Sequence, residues 1–294
     1  MYPNLKRKLI EGEDTADRFY ASLAEGKRRD SIDAEAEVLS TLLEHLEAHC
    51  PGQYKVSRTP GGGEVEAVTE TVTGREFRVR DYADCPLKLC GLLVQEDFIL
   101  LSPAADGAPP PRFVAGCATF SFMEIGLRGE KSHMRPGESV PLIHTPVPGF
   151  NGHGGVGPKV ARILEQLAPE SPQYRSNWIL VAEEGLDPMR FDLSPGGRGE
   201  AAAYLDVNGV MPEDLHLRVE LQSVRRLPQS RHILFTIHCY SDPLPSLAEL
   251  PRGAAVLRKA LLDLDQSRRA YRGMDEAAVE RCARYLEGLA GYCA

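Results

Sequence analysis

The sequence HLRVELQSVRR at residues 216–226 is followed by Leu-Pro-Gln-Ser and then by RHILFTIHCY at residues 231–240. Both runs alternate between apolar and polar side chains, and a short turn that contains proline joins them. These features predict two antiparallel strands in a hairpin. No other part of the sequence gives as clear a hairpin pattern.

The register of this hairpin follows from its apolar pattern. The apolar side chains share one face when two cross-strand pairs form: Val219 with Ile237, and Leu221 with Phe235. The opposite face then carries Arg218 across from His238, with Glu220 and Gln222 beside them. Two interpretations of that polar face are open: a solvated outer surface, or the polar wall of a pocket.

Outside the hairpin, three apolar segments predict further strands: Phe98–Leu101, Phe113–Phe120 and Ser176–Val181. The connection between the second and third of them contains an amphipathic helix pattern. Five strands with a partly helical connection indicate an α+β fold. Their order along the chain is that of a PAS domain, a five-stranded antiparallel sheet whose helices clasp a ligand against one face.

Other segments flank this core. Periodic apolar residues before residue 50 and after residue 250 predict helices, and residues 64–80 alternate around Thr73 and Gly74 as in a hairpin. We therefore expect three parts: an N-terminal helical extension at 1–63, a PAS-like core with its preceding hairpin at 64–245, and C-terminal helices at 246–294 that pack on the core.

The charge balance narrows the class of protein. The 42 acidic residues outnumber the 34 Lys and Arg residues, whereas nucleic acids and anionic membranes call for basic faces. No apolar run approaches the roughly 20 residues that span a bilayer, and the N-terminus lacks a signal-peptide core. We expect a protein that is cytoplasmic or soluble in the lumen of an organelle and that binds neither nucleic acid nor membrane.

Neither the cysteines nor the glycines form a familiar cofactor motif. The seven cysteines are scattered without a Cys-x-x-Cys pair, which excludes the usual spacing for structural zinc or an iron-sulfur cluster. Gly152, Gly154 and Gly157 spell Gly-x-Gly-x-x-Gly, but Pro146 and Pro148 disfavour the strand that should precede a dinucleotide site. A redox cofactor would therefore be held in another way.

Residues 141–150, Pro-Leu-Ile-His-Thr-Pro-Val-Pro-Gly-Phe, contain His144. Pro146 and Pro148 restrict their own backbone and that of the residue before them, so we expect a rigid, non-helical segment. A neutral imidazole with a fixed direction suits a metal or a heme iron. The alternative is a core or turn histidine that is hydrogen-bonded to the backbone.

Five groups of residues, in this order, resemble one family: Leu93 to Asp97, Glu130-Lys131, Ile143 to Gly149, Arg175 to Trp178, and Leu217 to Ile237. It is the family of the heme-binding alpha subunit of heme-dependent oxidative N-demethylase, a PAS-type enzyme that oxidises dimethylamine to methylamine and formaldehyde. The resemblance extends from about residue 64 to residue 273 and implies that the chain binds heme b. A non-catalytic, heme-binding PAS-like sensor or carrier is the alternative.

The resemblance also implies roles for individual residues. His144 is the expected axial ligand of the heme iron, with His153, His133 and His238 as alternatives. The other expected site residues fall into three groups: Arg225, Arg226 and Trp178 for the cofactor, Arg218, Glu220 and His238 for catalysis, and Glu96 and Asp97 for an ammonium substrate. Each charged member also has an ordinary salt-bridge explanation. The expected electron donor is a reductase partner that carries flavin and an iron-sulfur cluster.

Overall fold

The structure, a computed structural model, describes residues 20–22, 28–105, 107–118, 136–145, 147–182 and 207–291. The strands are β1 (Tyr20–Ser22), β2 (Tyr54–Arg58), β3 (Val65–Glu70), β4 (Arg75–Arg78), β5 (Asp97–Leu101), β6 (Phe113–Cys117), β7 (Gln173–Val181), β8 (His216–Arg226) and β9 (Ile233–Pro243). The helices are α1 (Arg28–His49), α2 (Pro86–Leu93), α3 (Val140–Ile143), α4 (Gly157–Gln166), α5 (Pro251–Leu262), α6 (Gln266–Tyr271) and α7 (Glu276–Ala290).

The strands form two sheets, so the predicted α+β class is confirmed. The larger sheet has the order β1-β6-β5-β9-β8-β7, and the smaller has the order β2-β3-β4. In the larger sheet β5 pairs with both β6 and β9 in the antiparallel sense. The five predicted strands are all present, and β1 is an additional edge strand that pairs with β6.

The chain divides into two compact units. The first comprises Met1–Thr145, Asn151–Arg175 and Gln222–His238, and the second comprises Pro146–Phe150, Ser176–Leu221 and Cys239–Ala294. Each unit has its own apolar core. No helix among the described residues is long and apolar enough to cross a membrane.

The core of the first unit includes one face of α1. Val38, Leu39, Leu43 and Leu46 recur at three- and four-residue spacing and are all buried, as the sequence predicted. Ser31 lies inside the helix, where its hydroxyl donates to Glu35 at 2.8 Å. The range 1–63 is not entirely helical, because β1 and β2 also fall within it.

The core of the second unit lies around α5 and α7. Leu257 and Leu261 of α5 and Val279 and Leu286 of α7 are buried in one cluster. The Asp275 side chain accepts a hydrogen bond of 2.6 Å from the Ala278 amide and so caps the start of α7. The cap and the apolar stripe explain why the C-terminal segment is helical.

The β8–β9 hairpin is confirmed, but its predicted register is wrong. Pairing Val219 with Ile237 would put Ser223 and Thr236 on opposite faces, whereas their hydroxyl oxygens lie 2.6 Å apart. Near the open end of the hairpin, Nη2 of Arg218 donates a hydrogen bond of 3.1 Å to Sγ of Cys239. Neighbouring residues of a strand point to opposite faces. His238, which precedes Cys239, therefore does not share the face of Arg218, contrary to the prediction.

The polar face of β8 is the buried one. Arg218, Glu220 and Gln222 are 2%, 8% and 5% exposed, while Leu221 is 42% exposed. The interpretation as a solvated outer surface is therefore wrong. The apolar alternation alone did not reveal this, because it assigns the apolar side chains to the interior by default.

The segment around His144 also differs from the prediction. Val140–Ile143 form one helical turn, with Pro141 near its start, where proline is tolerated. The expected non-helical conformation is thus wrong for residues 141–143. Pro146 lies outside the described residues.

Candidate functional site

In the first unit, His144 ends the short helix α3 and is tied to it. Its Nδ1 lies 2.8 Å from the Val140 carbonyl oxygen. A carbonyl oxygen only accepts hydrogen bonds, so Nδ1 carries the proton. In the neutral ring the lone pair is then on Nε2, the atom that would coordinate a metal.

The electrostatics of His144 favour the neutral ring. Burial lowers the pKa of His144, and the positive charge of Arg175 lowers it further, against the opposing effect of the Val140 hydrogen bond. Arg175 on β7 is itself fixed, because its Nε donates to Gln222 Oε1 at 2.6 Å. The site therefore provides a neutral imidazole with a defined tautomer, which is the form that binds a metal.

The two arginines that were predicted to bind the cofactor have different surroundings. Arg226 is buried and donates to the carbonyl oxygens of Leu164 and Leu167, each at 2.7 Å, at the C-terminal end of α4. This contact explains its burial without a ligand. The Nε of Arg225 is buried and has no hydrogen-bond partner among the described residues.

The predicted substrate-binding acids lie at the start of β5. Asp97 is fully buried and pairs with Ile237 in the ladder between β5 and β9. Glu96 is half-buried, and its Oε1 lies 2.9 Å from Nδ1 of His238. The structure thus brings together one predicted substrate residue and one predicted catalytic residue.

In the second unit, the buried strand face holds a pair of opposite charges. The Nη2 of Arg218 lies 3.7 Å from Oε1 of Glu220. Tyr271, at the end of α6, has its pKa raised by burial and, in part, by the negative charge of Glu220, against the positive charge of Arg272. The negative charge of Glu220 therefore acts on both Arg218 and Tyr271.

Trp178 has a partner that the sequence did not suggest. The guanidinium carbon of Arg272 lies 5.0 Å from the centre of the Trp178 ring. Nη2 of Arg272 also donates to Oδ1 of Asn177 at 3.5 Å. The two segments are separated by more than 90 residues along the chain, so no spacing rule predicts this contact.

Two of the three alternative histidines, His153 and His238, lie among the described residues. His153 is exposed in a glycine-rich loop, and His133 lies outside the described residues. Among the residues that the structure describes, no group of three or more His, Cys, Asp or Glu side chains could hold a metal ion. His238 is paired with Glu96.

The described residues define a class: an α+β protein with one neutral, oriented histidine in its first unit and a buried Arg-Glu pair in its second. A family model described as "Haem-dependent oxidative N-demethylase, alpha subunit-like" matches residues 2–280. The chain belongs to this family, which confirms the resemblance. Its family is thus heme-dependent and named for an alpha subunit.

Proposed function

We propose that this chain binds heme b through His144 and oxidises a small secondary amine, such as dimethylamine, with O2 to a primary amine and formaldehyde. The observation that carries the proposal is the 2.8 Å contact between His144 Nδ1 and the Val140 carbonyl oxygen. It leaves the lone pair on Nε2, and burial keeps the ring neutral. These properties fit a residue that would hold the heme iron.

The order of the strands supports a PAS-like core. Counted along the chain from β5, the five strands β6-β5-β9-β8-β7 have the spatial order two-one-five-four-three. The first and last strands are therefore central neighbours, as the PAS-like interpretation requires. We propose that cofactor and substrate bind against the sheet.

The chain's own residues would bind and orient the amine. When bound, heme would supply an iron at which oxygen is activated. A small alkylamine is a cation near neutral pH, as a lysine side chain is. Glu96, in the same unit as His144, is the candidate to bind it, through an exchange of its partner His238.

We also propose a partner protein. Removal of one N-methyl group with O2 consumes two external electrons, and a donor that carries flavin and an iron-sulfur cluster would deliver them. The alpha-subunit-like family description supports such a partner. We expect no NADPH-driven formaldehyde release from dimethylamine by the purified chain with heme alone, and release once a surrogate reductase is added. Sustained turnover without the reductase would contradict the partner.

The central experiment tests His144. Purified chain is titrated with hemin and followed by absorbance, and dimethylamine is then added. We expect His144→Ala to abolish or strongly weaken heme binding, and the control His153→Ala to bind as the unaltered chain does. An unchanged spectrum in His144→Ala would refute the axial role. Heme binding without any response to the amine would favour the sensor or carrier.

A further inference from the structure

Arg272 has a charge that the described residues do not balance. It is half-buried, and no carboxylate among the described residues lies within the 4.0 Å of an ion pair from its guanidinium. Its Nε is buried without a hydrogen-bond partner. Its only side-chain hydrogen bond in the described part of the chain is the 3.5 Å contact to Asn177. A desolvated charge without a counter-charge is costly, so the arrangement calls for an anion.

The orientation of Arg272 is nevertheless fixed. The guanidinium lies over the Trp178 ring at 5.0 Å, a contact that holds the group in place without using its N–H donors. Burial lowers the pKa of Arg272, yet an arginine keeps its proton at neutral pH. The protein therefore presents an oriented, permanently charged fork of N–H donors.

We propose that Arg272, stacked on Trp178, binds a carboxylate group of a ligand. A planar fork of two N–H donors matches the two oxygens of a carboxylate. The inference deepens the proposed function and relies on it for the two sources of such a group: a heme propionate, or a carboxylate carried by the amine substrate itself. In the second case the substrate is an N-methylated amino acid.

The neighbourhood of Arg272 supports carboxylate binding. Tyr271, the residue before it, feels the charges of both Arg272 and Glu220. Glu220 is paired with Arg218 at 3.7 Å, so the charge beside Tyr271 that the described residues leave unbalanced is that of Arg272.

Two pairs of ligands distinguish the sources. Hemin and its dimethyl ester differ only in their free carboxylates, and absorbance titration measures the affinity for each. N-methylglycine and dimethylamine also differ by a carboxylate. Their binding is measured by the fluorescence of Trp178, the one tryptophan of the chain, in protein without heme, and by heme absorbance once heme is loaded.

The variants are Arg272→Gln, Arg272→Lys and a control, Arg268→Gln. Arg268 is an exposed arginine of α6, the short helix that ends just before Arg272, and it lies 3.5 Å from Asp265. If the carboxylate is a heme propionate, Arg272→Gln lowers the affinity for hemin by roughly 10- to 100-fold and leaves the affinity for the dimethyl ester unchanged. If the carboxylate belongs to the substrate, the same variant lowers the affinity for N-methylglycine by a similar factor. The affinities for dimethylamine and hemin then stay unchanged.

Arg272→Lys keeps the charge but lacks the planar pair of N–H donors, so we expect a smaller loss of ligand affinity than in Arg272→Gln. If circular dichroism shows that Arg272→Gln is unfolded, Arg272→Lys is used in its place. Equal effects of Arg272→Gln and Arg268→Gln on both ligand pairs would overturn the inference. So would a folded wild-type chain that binds neither hemin nor N-methylglycine. Failure of the proposed function alone has another signature: heme binds in an Arg272-dependent way, yet no amine is oxidised.

Discussion

Two buried polar sites, one in each unit, are stabilised in opposite ways. In the first unit His144 is kept neutral, because burial and Arg175 both lower its pKa. In the second unit Arg218 and Glu220 are buried as opposite charges 3.7 Å apart. A neutral ring costs little to bury, whereas a buried ion pair is stable only while both members are present. The His144 site is therefore suited to coordination, whereas Arg218 and Glu220 depend on each other for stability.

The largest effect is expected from Glu220→Gln. It leaves the charge of Arg218, which is 2% exposed, without its carboxylate, and we expect the free energy of unfolding to fall by about 3 kcal/mol. Urea unfolding followed by circular dichroism measures this. The double variant Arg218→Met, Glu220→Leu should recover most of the loss, because no charge is then left buried. A double variant as unstable as the single one would contradict the comparison.

A smaller loss of stability is expected when Arg226 of the first unit is replaced by methionine. Arg226 donates to three carbonyl oxygens at the end of α4, of Leu164, Glu165 and Leu167. Arg226→Met leaves these acceptors without their donor, so we expect a loss of about 2 kcal/mol. Arg225→Met is the matched control and should change stability by less than about 0.5 kcal/mol. Equal losses at both positions would show that the contacts to α4 contribute little.

A still smaller effect should follow from Glu37→Gln. The buried carboxylate of Glu37 accepts hydrogen bonds of 2.8 Å from the amides of Gln229 and Ser230 and so fixes the turn of the β8–β9 hairpin to α1. The amide side chain keeps one acceptor, and we expect a loss of about 1 kcal/mol. Glu44→Gln, at an exposed position of the same helix, is the control for helix effects. A loss as large in the control would argue against the turn contact.

The smallest effect concerns pH and the neutrality of His144. Its pKa in the folded chain is below the ordinary value of 6.5, so the unfolded chain takes up a proton first as the pH falls. The contribution of His144 to stability is therefore full above about pH 6.5 and declines as the pH falls towards the lowered value. Urea unfolding at pH 7 and pH 5 should show a smaller decline in His144→Gln than in the unaltered chain or in His153→Gln. An identical decline in all three would mean that His144 is not kept neutral.

Much of the fold was accessible from the sequence because it depends on local pattern. The alternation in residues 216–226 and the heptad-like spacing in α1 each reflect one element and its apolar face. The register of the hairpin was not accessible in this way. The contact of Ser223 with Thr236 shows a pairing that the apolar pattern alone argued against, because at this strand a polar face is buried.

For the candidate site too, the sequence indicated some features and the tertiary structure was needed for others. The sequence by itself singled out His144, Arg218, Glu220 and Trp178, and identified the family, because short motifs preserve residue type and spacing. Only the tertiary structure decided the tautomer of His144, the buried pairing of Arg218 with Glu220, and the stacking of Arg272 on Trp178. The physical reason is that protonation, burial and charge balance depend on groups that are distant along the chain and meet only after folding.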